Sequence, residues 1–255
     1  MDVLSKKYFD VYCLQTTDLE ELVRAFNFGD TSEDLVYSVQ ASAVFSSNIE
    51  GNSINLNSFM NYQLSKMKFK PHKELLEIED LILAYNFAQK EKLTEKNFLK
   101  THKILSKIFL ISGLRGKYRN DKVGVFGESG LVYLAVEPEF VPKVMKDFFG
   151  EINTLLSSEL SMEEIFYFAA FIHLRFVHIH PFRDGNGRAA RLLEKWFLAE
   201  KLGEKFWQIP SEKYYKENQQ NYYKNINIGI NFYELNYDKS VPFLTMLPQS
   251  LKQQE

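Results

Sequence analysis

A single cysteine, Cys13, stands in the 255 residues. No disulfide can form within the chain, and a reducing compartment is expected. Proline (7) and glycine (12) are scarce, leaving long stretches free to keep a helical period. The longest unbroken apolar run, Ile165 to Ile172, is eight residues and cannot span a bilayer. The opening stretch, MDVLSKKYFDVYCL, has no apolar segment of signal-peptide length. Nor is there an excess of either charge: 31 Lys plus Arg face 33 Asp plus Glu, a net −2. That balance argues against bulk electrostatic binding to nucleic acid or an anionic membrane, so any anion site must be local. These absences predict a soluble cytoplasmic protein without nucleic-acid or membrane partners; oligomeric state has no signature. Repeats, low-complexity tracts and Pro/Gly/Ser linkers are also missing.

What is present is an ordinary globular composition, 45% hydrophobic and 25% charged, with 22 phenylalanines for an aromatic core. The length suits one large domain or two small ones. Helical periodicity runs through 17–27, 33–50, 73–91, 95–109, 140–156, 162–178, 187–202 and 211–228. Thr94 and Ser161 read as N-caps of the fourth and sixth of these. The segment after Ser161 is almost continuously apolar, which predicts a helix at the centre of a bundle. One stretch breaks the pattern: KVGVFGESGLVYLAV (122–136) has two β-prone runs around Gly127-Glu128-Ser129-Gly130, a hairpin signal. Residues 52–72 are the least regular. The expected fold is mainly all-α with one hairpin, which by itself implies no function.

The densest chemistry lies at 178–191, HIHPFRDGNGRAAR. Pro181 biases His180 away from the helical region, so the central helix ends there. Gly185-Asn186-Gly187 makes a tight turn before helical periodicity resumes, delivering backbone N–H groups at a helix N-terminus, a natural phosphate site. Arg188 and Arg191, three apart, share a face of the first turn. Cations are unfavourable at that end of the dipole unless an anion sits between them. Asp184 beside phosphates makes sense if a Mg²⁺ bridges the oxygens. His180 remains as the titratable base. The set reads as a phosphoryl- or nucleotidyl-transfer site.

Plainer readings of the same residues exist. A Gly-Asn-Gly turn with solvated arginines is a common connection between helices. A calcium loop is excluded, because Arg188 occupies a ligand position and no glutamate lies at the twelfth. His178 and His180 as ligands of a catalytic metal would need a third His or Cys nearby. His173 and His178 read as satisfied core histidines, and Phe182 as an anchor for the loop.

HPFRDGNGRAAR (180–191) resembles the signature of the Fic-domain family, His-x-Phe-x-(Asp/Glu)-Gly-Asn-Gly-Arg-x-x-Arg, at every fixed position. The resemblance extends more loosely over about 95–235. It implies a Fic-type helical bundle and transfer of AMP from MgATP to a hydroxyl on a target protein. Carried over by position, His180 is the general base, and Asp184 binds Mg²⁺ (or Mn²⁺). Gly185, Asn186 and Gly187 form an anion hole, and Arg188 and Arg191 hold the β- and γ-phosphates. The hairpin resembles the family's flap, with Val123, Gly124 and Val125 as the edge that docks the target. The family often has adjacent prolines after the flap; here Pro138 and Pro142 are separated. SEKYYKENQQNYYKNI (211–226) resembles the helix that closes the adenine pocket, with Tyr223 as the base contact.

FSSNIEGN (45–52) poses a second problem. The helix before it runs to about Glu50 with Gly51 as its C′ cap, so a glutamate opposes the dipole in the last turn, at ~0.3–1 kcal/mol. It is either an exposed, screened acid or a functional one. Residues 46–51 resemble the family's inhibitory motif, (Ser/Thr)-x-x-x-Glu-(Gly/Asn), placed N-terminal to the Fic core. That implies a helix at about 33–51 in which Ser46 orients Glu50, and Glu50 takes Arg191 from the γ-phosphate. The expected division is 1–92, an N-terminal helical region, and 93–245, the Fic domain. The expected activity is an autoinhibited protein adenylyltransferase acting on Tyr, Thr or Ser. Two alternatives stay open: Glu50-dependent removal of AMP from modified protein, and a nucleotide-sensing module that binds a partner without turnover.

Overall fold

The computed structural model describes residues 2–65, 72–127 and 130–252. Along the chain run α1 (Phe9–Gln15), α2 (Leu19–Ala25), α3 (Ser32–Ile49), α4 (Leu56–Leu64), α5 (Lys73–Ala88) and α6 (Glu95–Leu105). The hairpin β1 (Gly124–Gly127) and β2 (Gly130–Leu134) follows. Then come α7 (Val141–Ser157), α8 (Met162–Ile179), α9 (Asn186–Leu202), α10 (Ser211–Glu217), α11 (Gln219–Ile226), α12 (Val241–Leu244) and α13 (Met246–Gln249). The mainly helical architecture with one hairpin is the one the periodicity predicts.

Helix α8 is the axis of the bundle. Ser161 caps it by accepting from Glu164 N while the Glu164 carboxylate returns to the Ser161 amide, closing a capping box. Phe166, Phe168, Phe171 and Phe176 are all fully or almost fully buried. Each contributes roughly 1.5–3 kcal/mol of burial, and truncating one to alanine costs about 3–5 kcal/mol. Apolar residues surround α8 on every face, so α1, α2, α7, α9, α12 and α13 all pack on it. Helix α9 packs along it and carries Arg188 and Arg191.

Three departures from the periodicity have local causes. Helix α4 arises inside the stretch read as irregular: Asn55 caps it through Ser58 N, and Phe59 anchors it in the core. Residues 66–71 of that stretch lie outside the described residues, as do 128–129 of the hairpin turn. Helix α1 lies outside the segments with helical periodicity; its Tyr12 meets Tyr167 of α8 edge-on at 5.3 Å. The helix expected over 211–228 breaks at Asn218, whose side-chain amide donates to Tyr214 O at 3.0 Å and competes with the helical ladder.

One core runs from Val3 to Leu251, and residues before and after position 92 share it. Helix α3 packs on α5, α9 and α10. No helix among the described residues is long and apolar enough to cross a membrane.

Candidate active site

His180 terminates α8 in the left-handed region (φ 51°, ψ 56°), the one positive φ outside glycine among the described residues. Pro181 does keep it from the right-handed helical region, but it goes to the left-handed well rather than to the extended one. That conformation costs an L-residue roughly 1–2 kcal/mol, and its neighbours over-determine it. His180 N donates to Phe176 O (3.0 Å), Arg119 Nε to His180 O (2.8 Å) and Arg119 N to Pro181 O (2.9 Å).

The ring is oriented by Val177. Its carbonyl only accepts, so Nδ1–H donates to it (3.2 Å) and Nε2 keeps its lone pair. Burial pushes the pKa down to about 4, outweighing the Val177 bond and the Glu50 charge, which act upward. His180 is therefore neutral at pH 7, the state a base needs.

The loop behind it is braced from within. Asn186 accepts from Phe182 N and donates to Phe182 O, both at 2.9 Å, so its side chain holds the turn and only its backbone can join an anion hole. Phe182 is fully buried and stacks on His102, with ring centroids 3.5 Å apart. His102 Nε2–H donates to Asp184 O (3.0 Å), and its Nδ1 accepts from Gly116 N (3.0 Å). Gly185 takes φ +83°, where a Cβ would also stand 3.0 Å from the Phe109 ring. No side chain caps α9, which leaves the amides of its first turn to another acceptor. Asp184 Oδ1 accepts from Gly185 N, and its side chain is 54% exposed.

The two arginines fare differently from expectation. Helix α9 starts at Asn186, so Arg188 lies in its first turn and Arg191 in its second. Each is met by a carboxylate from before residue 92. Arg188 Nη1 pairs with Glu77 of α5, its Nη2 lies 3.4 Å from Asp184, and its guanidinium covers the Phe109 ring at 3.9 Å. Burial pushes the Arg188 pKa down to about 10. Arg191, fully buried, donates from Nη2 to Glu50 Oε1 at 2.7 Å and from Nη1 to Tyr222 at 3.1 Å. Burial raises the Glu50 pKa, but the Arg191 and Arg188 charges outweigh it and the net shift is downward, so Glu50 is ionised.

Ser46 also acts on the arginine. Its hydroxyl accepts from Arg191 Nε (2.8 Å) and its carbonyl from Nη2 (3.0 Å), whereas the helix spacing pointed to a bond with Glu50. Both side chains meet the same guanidinium, so Ser46 and Glu50 share the face of α3 turned to α9 and are linked through Arg191. Gly51 follows at φ +95°, the C′ geometry expected. A Cβ on Gly187 would stand 2.2 Å from Glu50 Oε1, so glycine there permits the approach.

Tyr223, expected at the adenine base, is 46% exposed and donates to Ile49 O at 3.0 Å. Gln219 Nε2 donates to the same carbonyl (2.8 Å) and Lys216 Nζ to Asn48 O (2.9 Å). The corner between α10 and α11 thus covers the C-terminal carbonyls of α3. Its buried neighbour Tyr222 meets Arg191 and His173, the latter at 2.9 Å. His173 also bonds Glu194 (2.9 Å), while His178 bonds Tyr237 (3.2 Å) and Ile226 O (2.8 Å); both are satisfied core histidines.

Beside the loop stands the hairpin, with Gly124 opposite Leu134 and Val125 opposite Tyr133. Val123 precedes β1, and its carbonyl accepts from Ala135 N at 3.2 Å. Leu134 N and O are taken by Ile230 O (2.9 Å) and Phe232 N (3.1 Å), which covers the outer edge of β2 and leaves β1 as the outer strand.

A neutral histidine, an exposed carboxylate, a helix N-terminus without a side-chain cap and two arginines thus lie within twelve residues, with the hairpin alongside. Residues 92–198 match the Fic/DOC family. The chain is similar to the protein adenylyltransferase Fic of Drosophila ananassae, 34% identical over 159 residues, and to that of Drosophila melanogaster, 32% identical over 159 residues. The matched part is 59% of this chain and 30% of the former relative, so the chain spans about 30% of the length of the curated relatives it matches. Among solved structures, a Fic family protein from Desulfovibrio desulfuricans superposes with TM-score 0.77 at 21% identity, over 98% of this chain and 74% of that one. Fic-1 from C. elegans does so with 0.71 at 20% identity, over 95% and 70%. At these identities the likeness is one of fold.

Proposed function

We propose that the chain transfers AMP from MgATP to a hydroxyl of Tyr, Thr or Ser on a target protein. The observation that carries this reading is His180: a neutral imidazole with its Nε2 lone pair free of the Val177 bond, on the loop that opens an uncapped helix. Nε2 takes the proton of the target hydroxyl as its oxygen attacks the α-phosphorus. The bond from that phosphorus to the β-phosphate bridging oxygen breaks, and pyrophosphate leaves. The backbone amides of Gly185, Asn186 and Gly187 receive phosphate oxygens, and Arg188 and Arg191 hold the β- and γ-phosphates. Tyr223 contacts the base, and the target adds as a strand along Val123, Gly124 and Val125 of the hairpin.

No group of three or more metal-ligating side chains occurs among the described residues. One exposed carboxylate suits Mg²⁺, which commonly takes one or two carboxylates and completes its shell with phosphates and water. Asp184 would hold it, and the ion would neutralise phosphate charge.

Glu50 supplies regulation in this reading. By occupying Arg191 it denies the γ-phosphate its partner and turns the α-phosphate from in-line attack. Its ionised carboxylate beside Gly187 also favours a second reading, in which Glu50 positions water to remove AMP from a modified protein. Wild type and Glu50→Gly are incubated with labelled ATP and, separately, with AMP-modified protein. Incorporation that rises in Glu50→Gly supports transfer. AMP release that needs Glu50 supports the reverse reaction, and neither leaves only a binding module.

A further inference from the structure

The segment between α6 and the hairpin contains an arginine that the reaction scheme does not use. Arg119 is 4% exposed, and its guanidinium meets three backbone carbonyls. Nε donates to His180 O (2.8 Å), Nη1 to Asp121 O (2.8 Å) and Nη2 to Val136 O. Its own amide donates to Pro181 O (2.9 Å). Asp121 lies just before β1 and Val136 just after β2, so one planar fork spans the root of the hairpin. Its third arm grips the peptide of His180, the one non-glycine residue held left-handed among the described residues. The Asp121 carboxylate also pairs with Arg183 of the loop, a second tie between the same two parts.

We propose that Arg119 is a positioning residue that registers the catalytic base against the target-docking hairpin. This rests on the function proposed above. A left-handed residue persists only where its surroundings over-determine it, and Arg119 supplies two of the three backbone bonds around His180 and Pro181. The orientation that lets Nδ1 reach Val177 O, and so frees Nε2, follows from that backbone. A lysine keeps the charge but offers a flexible point donor in place of a rigid fork, so it cannot satisfy three carbonyls in fixed directions. The Glu50 and Arg119 charges that bear on the imidazole both survive the exchange in sign. Geometry alone changes.

The test is Arg119→Lys, with Arg119→Gln as a second variant that keeps an amide donor, each made in Glu50→Gly and in wild type. Two readouts are taken. The first is the ¹⁵N spectrum of the histidine rings, with the His180 signals assigned by their loss in His180→Ala. The expected result is the Nδ1–H tautomer in wild type and a shift toward the Nε2–H form in the variants, with His173 and His178 unmoved. The second is self-modification from labelled ATP in the Glu50→Gly background. Displacing the base by about 1 Å should lower kcat roughly 10²-fold while KM for ATP stays within about twofold. A purely structural arginine would lower the melting temperature and leave both tautomer and kcat of the folded protein unchanged in both variants; that result overturns the proposal. If Glu50→Gly itself modifies nothing, the transfer reading fails, and the ring spectrum still decides the role of Arg119.

Discussion

Arg191 and Glu50 meet at 2.7 Å across 141 residues of sequence, and the same guanidinium takes the hydroxyl and carbonyl of Ser46 one turn earlier. The arginine therefore closes on the whole tip of α3. If Glu50 inhibits through this contact, Glu50→Gly raises AMP incorporation strongly. Arg191→Ala does not, because it removes the phosphate clamp with the brake's partner. The double variant should behave like Arg191→Ala alone, a non-additive result expected of groups acting on one contact. Labelled-ATP incorporation by all four proteins at one concentration checks this. Glu50→Gly no faster than wild type would sink the idea.

His180→Ala should lower transfer by about 10²–10⁴-fold, the usual worth of a positioned base, and leave ATP affinity nearly intact. Calorimetric titration with ATP beside a transfer assay separates the two effects. Transfer at a near-normal rate would remove His180 from its role.

Transfer should require Mg²⁺ or Mn²⁺ through Asp184, since its carboxylate and the phosphates need a shared cation. Activity is expected to vanish in EDTA and, for Asp184→Ala, to need far more metal than wild type. An unchanged metal dependence in that variant would count against the assignment.

The Glu77–Arg188 pair predicts a ligand-dependent stability. Glu77→Gln leaves a buried guanidinium short of its counter-charge, which costs on the order of 3 kcal/mol when such a pair is broken. A phosphate arriving at Arg188 should restore part of that loss. The rise in melting temperature on adding MgATP is therefore expected to be larger for Glu77→Gln than for wild type, and equal rises would mean that Arg188 does not meet the nucleotide.

Acid should weaken the fold early. Burial holds His102, His178 and His180 down at about 4, 3 and 4, against 6.5 in the unfolded chain. Above about pH 6.5 both states leave these rings neutral. As pH falls below that, the unfolded chain gains protons that the folded chain refuses, so stability drops progressively toward pH 4. Each unit of separation is worth about 1.4 kcal/mol. Denaturant midpoints at pH 7.5, 6 and 5 should fall in that order, while the transfer rate of the folded protein keeps its acid limb near 4. A flat midpoint from 7.5 to 5 would show that these rings charge freely.

The loop was legible because its chemistry is local: base, carboxylate, glycines and arginines sit within twelve residues, and their order predicts a helix N-terminus. Thr94 and Ser161 were equally plain, because a cap and its partner lie three residues apart. Glu77 and Arg119 gave no such signal. Glu77 sits in a helix where an acid reads as solvent-facing, and Arg119 in a connection, so each has meaning only through a partner far along the chain. Tyr223 and Tyr222 show the limit within a motif. Adjacent tyrosines are equivalent in a string, and only the phase of α11 decides which faces Arg191 and which caps Ile49. The break at Asn218 depended on one side-chain bond that competes with the helix it interrupts.

Helix α3 has a shaft and a tip with different mechanics. The shaft buries Val39, Ala43, Val44 and Ile49 in the common core, each larger side chain resisting removal by roughly 1.5–3 kcal/mol. The tip is one carboxylate on a cap residue, 31% exposed and held by Arg191. Levering the helix away would tear the core, whereas swinging Glu50 disturbs a single ion pair. The corner at Lys216, Gln219 and Tyr223 grips the carbonyls of Asn48 and Ile49, the two residues before that carboxylate. If Glu50 inhibits as proposed, a ligand that drew Tyr223 away from Ile49 O would loosen that grip where the lever is lightest.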